Sequence, residues 1–195
     1  MRKKIASGAL LILLSLLSNI VIGEAGEIIV TPAGLDHFLI TAPSKVTAGE
    51  AFPVTITACD SYGNVVTDYR LSGKGVKITT SGVGKVVPER VAPSEFKDGI
   101  AQVSLTYDQA QGIILISTEI EGKARGRSTT MTVLPSKLNY FVLTVPREAR
   151  AGEEFAISLS ARDAFGNIVS DYSSRGKELS LLASGDGKLV PSKVE

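Results

Sequence analysis

The residues best equipped for chemistry lie around one turn: Asp60, Asn64 and Asp68, with Cys59 beside them. Carboxylate and amide oxygens on a loop are the ligands of a hard cation such as calcium. The spacing, however, departs from the D-x-[DN]-x-[DN]-G pattern of calcium loops, and a turn and a strand separate Asp60 from Asp68. An aspartate opening a turn accepts backbone N–H bonds, so capping is the preferred reading of Asp60-Ser61-Tyr62-Gly63. Cys59 is the one cysteine, which excludes a disulfide within the chain; an incidental surface residue is the preferred reading, with an intermolecular bond as the sharper alternative. His37 is the one histidine. Ser-His-Asp catalysis needs three converging groups, and no serine here sits in a G-x-S-x-G elbow. Gly82, Gly84, Gly185 and Gly187 do not precede a helix, as a phosphate loop requires. Lys74, Lys77 and Lys85 are scattered without interleaved aromatics, which argues against nucleic acid. The expectation is therefore no catalytic residue, no cofactor-binding residue and no metal site: not an enzyme.

The elements that position this turn occur twice. Residues 48–69, AGEAFPVTITACDSYGNVVTDY, return at 151–172 as AGEEFAISLSARDAFGNIVSDY. Leu35 aligns with Leu138, an offset of 103, and the offset holds without a gap to Glu195 with about two dozen identities. Phe52, Val54, Ile56 and Ala58 alternate with outward residues, and Phe155, Ile157, Leu159 and Ala161 keep the same parity, which predicts a strand buried on one face. That parity places Cys59 outward, and its counterpart Arg162 agrees. Further strands are expected at 38–42, 65–67, 76–80, 85–87, 101–106, 113–118 and 128–133, where Val, Ile and Thr dominate and Gly-containing turns intervene. No sustained helical period follows the leading segment. A period near one hundred residues is the size of an immunoglobulin-like sandwich. The fold class expected is all-β: immunoglobulin-like β-sandwich repeats, preceded by a helical signal peptide.

That leading segment reads as an address. Arg2, Lys3 and Lys4 precede an apolar run from about Ala9 to Ile22, and Gly23-Glu24-Ala25 forms a small-x-small cleavage site. The run falls short of a bilayer-spanning helix. The expected division is a signal peptide over 1–25, a linker over 26–34, a complete module over 35–136 and a truncated second module over 137–195. Ending at Glu195 leaves Phe155, Ile157 and Leu159 without the strands that would cover them, so an apolar face and unpaired edges are expected. A fragment of a longer tandem array, completion by a partner's strand and disorder are the three readings of that half-module. DNA past the stop codon that encodes a continuation would select the first.

The repeated pattern A-G-x-x-F-x-(V/I)-x-(I/L)-x-A-x-D-x-x-G-N-x-V-x-D-Y resembles the signature of bacterial immunoglobulin-like repeats, found in secreted and cell-surface proteins including invasin- and intimin-like adhesins. A similar sandwich occurs in filamin-type repeats. The resemblance covers nearly all of 35–195, although Thr67-Asp68-Tyr69 stands where the invasin-type pattern continues with proline and glycine. It implies a non-catalytic spacer or adhesion module, strung in tandem, with no catalytic residues to carry over.

Composition agrees with that implication. A net charge of +1 sets up no field toward nucleic acid, and hydrophobic content of 44% suffices for a core. The partners expected are neighbouring modules of the same or a longer chain and a cell-surface or extracellular ligand. No nucleic acid is expected, and membrane contact comes only through the signal peptide during export. The function expected is a spacer, adhesin stalk or envelope component, secreted or on the cell surface. Two alternatives are an accessory region of a secreted enzyme and a carbohydrate-binding sandwich. The second wants exposed aromatic platforms, for which Tyr69 and Tyr172 are the recurring candidates in a chain with no tryptophan.

Overall fold

The computed structural model describes residues 20–22 and 28–194. The signal peptide expected over 1–25 lies outside the described residues, apart from β1 (Ile20–Ile22), which pairs antiparallel with β2 (Ile28–Val30). No helix among the described residues is long and apolar enough to cross a membrane.

The repeated strand organises the rest. In β5 (Phe52–Cys59) the residues Phe52, Val54, Ile56 and Ala58 are buried, and the intervening ones reach solvent. The pleat sends alternate side chains to opposite faces, so one face enters the core. On one side β5 pairs with β3 (His37–Thr41), and β4 (Lys45–Thr47) connects the two. Beyond β5 a single helical turn, α1 (Tyr69–Ser72), leads into β6 (Val76–Thr80) and the short β7 (Val86–Val87) and β8 (Arg90–Val91). The long β9 (Ile100–Tyr107) pairs with the other side of β5. The copy closes with β10 (Gly112–Ile113), β11 (Leu115–Glu119), β12 (Arg125–Arg127) and β13 (Met131–Leu134).

These strands form an eight-stranded sheet in the order β7-β9-β5-β3-β12-β11-β6-β8 and a three-stranded sheet β10-β13-β4. The larger sheet is joined at its middle by one residue pair, Arg125 with His37. Gly126 lies at this seam, where a Cβ would run into the Phe38 carbonyl. Residues from both halves of the sheet, such as Ile56 and Leu105 from one and Ile78 and Leu115 from the other, share one hydrophobic cluster. The sheet thus folds over on itself around its core, and the all-β sandwich expected from the sequence is the architecture observed. Every member of the cluster lies between Phe38 and Val133. Burial of each large side chain contributes about 1.5–3 kcal/mol, so this copy carries its own core.

Four expectations are corrected. Residues 65–67 are not a strand: Val65 makes one bridge to Cys59, and the chain then turns into α1. The strand expected at 113–118 is two, because Ile113 pairs with Met131 in the small sheet while Leu115 pairs with Thr80 in the large one. The strand expected at 128–133 begins at Met131, with a separate β12 before it. Cys59 is buried, not outward. It sits between His37 on one side and Val65 on the other, where the chain doubles back after the turn, and cross-strand partners of this kind flank a side chain on its own face.

The second copy consists of β14 (Leu138–Thr144), β15 (Ser158–Asp163), the helical turn α2 (Tyr172–Arg175), β16 (Leu179–Ser180) and β17 (Lys193–Val194). β14 pairs with β15, and β16 with β17. Phe155 and Ile157 are exposed, as expected for a strand without its covering layer, and β15 starts only at Ser158.

Candidate functional site

Asp60 and Asp163 are fully buried and are bonded alike. The Asp60 carboxylate accepts from the Tyr62 amide (2.9 Å), the Asn64 amide (2.8 Å), the Asn64 side-chain Nδ2 (3.0 Å) and the Ala33 amide (2.9 Å). Asp163 accepts from Phe165 N (2.9 Å), Asn167 N (2.8 Å), Asn167 Nδ2 (2.8 Å) and Ser136 N (2.9 Å). Each donor is the 103-residue counterpart of the other. Two donors come from the turn backbone, one from the asparagine, and one from the segment leading into the copy. The carboxylate therefore ties the start of each copy to the turn after its central strand. An ionised carboxylate offers about four acceptor directions, and four donors take them.

The electrostatics follow. Burial alone would raise the pKa of Asp60, but the hydrogen bonds from the Asn64 side chain and the Ala33, Asn64 and Tyr62 amides outweigh it and hold the carboxyl at about 2. In Asp163 burial likewise acts upward, and the Asn167, Ser136 and Phe165 donors bring the pKa below the ordinary carboxylate value. Asp68, the remaining carboxylate of the calcium reading, is exposed at the start of α1, where its carbonyl accepts from Leu71 and Ser72. No group of three or more His, Cys, Asp or Glu side chains converges among the described residues.

Tyr69 is not an exposed platform. It is fully buried, 4.6 Å from the Phe96 ring and 5.6 Å from the Phe38 ring, centroid to centroid. Tyr172 repeats the contact with Phe141 at 5.1 Å. Burial, then the Glu119 charge, pushes the Tyr69 hydroxyl up to about 12. The Gly75 backbone partly opposes that rise without meeting hydrogen-bond geometry, so the hydroxyl has no partner among the described residues. The exposed recurring aromatics are Tyr62 and Phe165, at the tip of the turn.

The remaining candidates are spent locally. His37 Nδ1 lies 3.0 Å from the Asp36 carboxylate at the surface, and the corresponding position of the second copy is Tyr140. The Cys59 thiol is raised by burial first, with the Asp60 charge adding and a backbone bond at Leu39 opposing. At the same place Arg162 reaches back to the Gly166 carbonyl, keeping its charged end near water. Gly82 and Gly84 let their hairpin lie against Tyr107: the Gly84 amide donates to the Tyr107 hydroxyl (2.8 Å) and the Lys85 amide to Asp108 (2.7 Å). Lys74, Lys77 and Lys85 are all exposed.

A feature the sequence did not reveal joins the two copies. Asn167 Nδ2 donates to the Asp108 carbonyl and its Oδ1 accepts from the Ala110 amide, both at 2.9 Å. The Phe165 ring lies over Gly49, whose backbone has a φ of +77° and where a Cβ would overlap the ring. Ala48 and Gly49 are held by the Leu134 and Tyr107 carbonyls, which fixes the platform. The repetition of Gly-Asn in both turns was the available signal, and it reads as turn chemistry until the second side of the asparagine is seen.

No protein-family profile and no curated protein sequence matches the chain. Solved structures overlap it in part. A Corynebacterium diphtheriae protein described as membrane anchored has 16% identity and a TM-score of 0.38, over 65% of this chain and 31% of that one. Surface layer protein SbsC, domains 4–9, has 14% identity and a TM-score of 0.35, over 83% of this chain and 25% of that one. Domains 5–6 of the S-layer protein SbsC have 16% identity and a TM-score of 0.34, over 80% and 76%. The chain thus spans about a third or less of the first two. Overlap at this level identifies neither a family nor a function.

Proposed function

We propose that this chain is a non-catalytic module of the cell envelope or surface, a spacer or stalk built from repeated sandwiches in a longer tandem array. The observation that carries the reading is the use made of the recurring polar residues. Asp60 and Asp163 hold their own turns and lead-in segments, and Asn167 holds one copy to the other. The groups kept in both copies maintain spacing and orientation, which is the work of a spacer. The carbohydrate-binding alternative loses support, because Tyr69 is buried and the half-buried Tyr172 is taken up by Phe141 and the Lys177 carbonyl.

Expression of the whole chain with a C-terminal tag in a bacterial host tests the reading. The expected product is shortened by about 25 residues, lies outside the cytoplasm and is digested by protease added to intact or osmotically opened cells. A full-length product confined to the cytoplasm would sink it. Saturable glycan binding by residues 26–136 would instead favour the alternative.

A further inference from the structure

The junction is built from one half of each copy, and the first copy carries an unused half. Asn64, the counterpart of Asn167, is exposed; its Nδ2 reaches Asp60, and its Oδ1 has no partner among the described residues. Tyr62, the counterpart of Phe165, is 62% exposed. We propose that the turn 62–64 is a docking surface for the far end of another module of this build, one presenting what Gly49 and residues 108–110 present here.

Three observations fit this occupant. The four donors around Asp60 match those around Asp163 to within 0.2 Å, so both turns hold their backbone and the asparagine amide in the same arrangement, with an aromatic residue at the same position. A surface held in its bound form before contact loses less entropy on docking. The receiving end is demanding: it needs a glycine in left-handed backbone under the ring, plus a carbonyl and, two residues on, an amide facing the asparagine. Within this chain that end is filled by the second copy. Tyrosine for phenylalanine keeps the flat ring, and its hydroxyl suits the more exposed position. The second copy also carries the glycine platform: Gly152, at φ +84°, has open space where Gly49 meets Phe165.

The inference deepens the spacer reading, resting on it only for the supply of other modules. Its test uses residues 28–136, which hold the complete core. In that piece the turn and the far end are both free, so it should associate head to tail, in an open-ended manner characteristic of heterologous contacts. Sedimentation and amide shifts are followed up to about 1 mM, the effective concentration that a short linker supplies. The expected result is concentration-dependent association, with shifts at 49, 62–64 and 108–110. Tyr62→Ser, which leaves the backbone donors of the turn in place, should weaken it about tenfold or more. Asn64→Ala should do the same. The chain 28–195, whose far end is already filled, should associate less than the isolated copy. A monomeric isolated copy, or association indifferent to Tyr62→Ser, overturns the proposal and leaves the localisation result untouched.

Discussion

A buried carboxylate ordinarily resists ionisation, and burial acts on Asp60 in that direction. Four donors reverse the outcome and hold it at about 2, against an ordinary 3.8. The sign of the consequence is fixed by linkage. A folded-state pKa below the unfolded one gives a stabilisation that is complete above the unfolded value and is lost as pH falls through the folded value. Asp163, shifted the same way, adds to the same window. The stability of residues 28–195 should therefore decline between about pH 5 and pH 2. Asp60→Asn should be less stable at neutral pH, since an amide cannot accept all four bonds. Its stability should also vary less with pH over that window, and the two curves should approach each other at the acid end. Urea titrations at a series of pH values measure this; parallel curves would remove Asp60 from its role as the hub. The residue types at this hub were legible in the sequence as a turn cap. The fourth donor, Ala33, was not, because it comes from 27 residues away and only the fold brings it in.

At the scale of the element, β5 was legible because its apolar residues recur every second position in both copies. The same rule misplaced Cys59, since parity gives the face a side chain takes and not the neighbours that flank it there, and Val65 returns alongside at that point. The turn α1 was illegible for a different reason. Four residues are too few to show a helical period, and Asp68 gives no side-chain cap. Its trace in the sequence is D-Y-x-x-x-G, present at 68–73 and 171–176. The structure supplies the physics of that spacing: Gly73 caps the turn, and a Cβ there would overlap the Tyr69 ring. The ring cannot retreat, because Phe38 and Phe96 pack against it. Gly73→Ala should thus cost about 1–3 kcal/mol, the range for overpacking a filled core. Chemical denaturation measures it. A loss below about 0.5 kcal/mol, the level of an ordinary surface change, would mean that the tyrosine is free to move and that the spacing has another cause.

At the scale of the whole molecule, the two copies share a sequence and differ in what surrounds it. In the first, residues 55–57 are paired on both sides, by β3 and by β9. In the second, residues 158–160 are paired with β14 alone among the described residues, and Phe155 and Ile157 face solvent. Side-chain pattern cannot distinguish these states, because parity is a property of the strand while burial depends on a neighbour 40 or more residues away in sequence. Amide exchange can distinguish them. Exchange from a strand covered on both sides requires an opening near the global unfolding free energy, whereas a strand with one partner opens locally at a lower cost. Amides of residues 55–57 should therefore be protected at least about a hundredfold more than those of 158–160, which corresponds to ~2.7 kcal/mol. The comparison is internal to one chain, under one set of conditions, between segments of related sequence, so intrinsic exchange rates nearly cancel. Equal protection would overturn this contrast between the copies. It would mean that the second copy in solution has acquired the strand it lacks, and dilution would then show whether that strand comes from a second molecule, since protection supplied in trans falls with concentration.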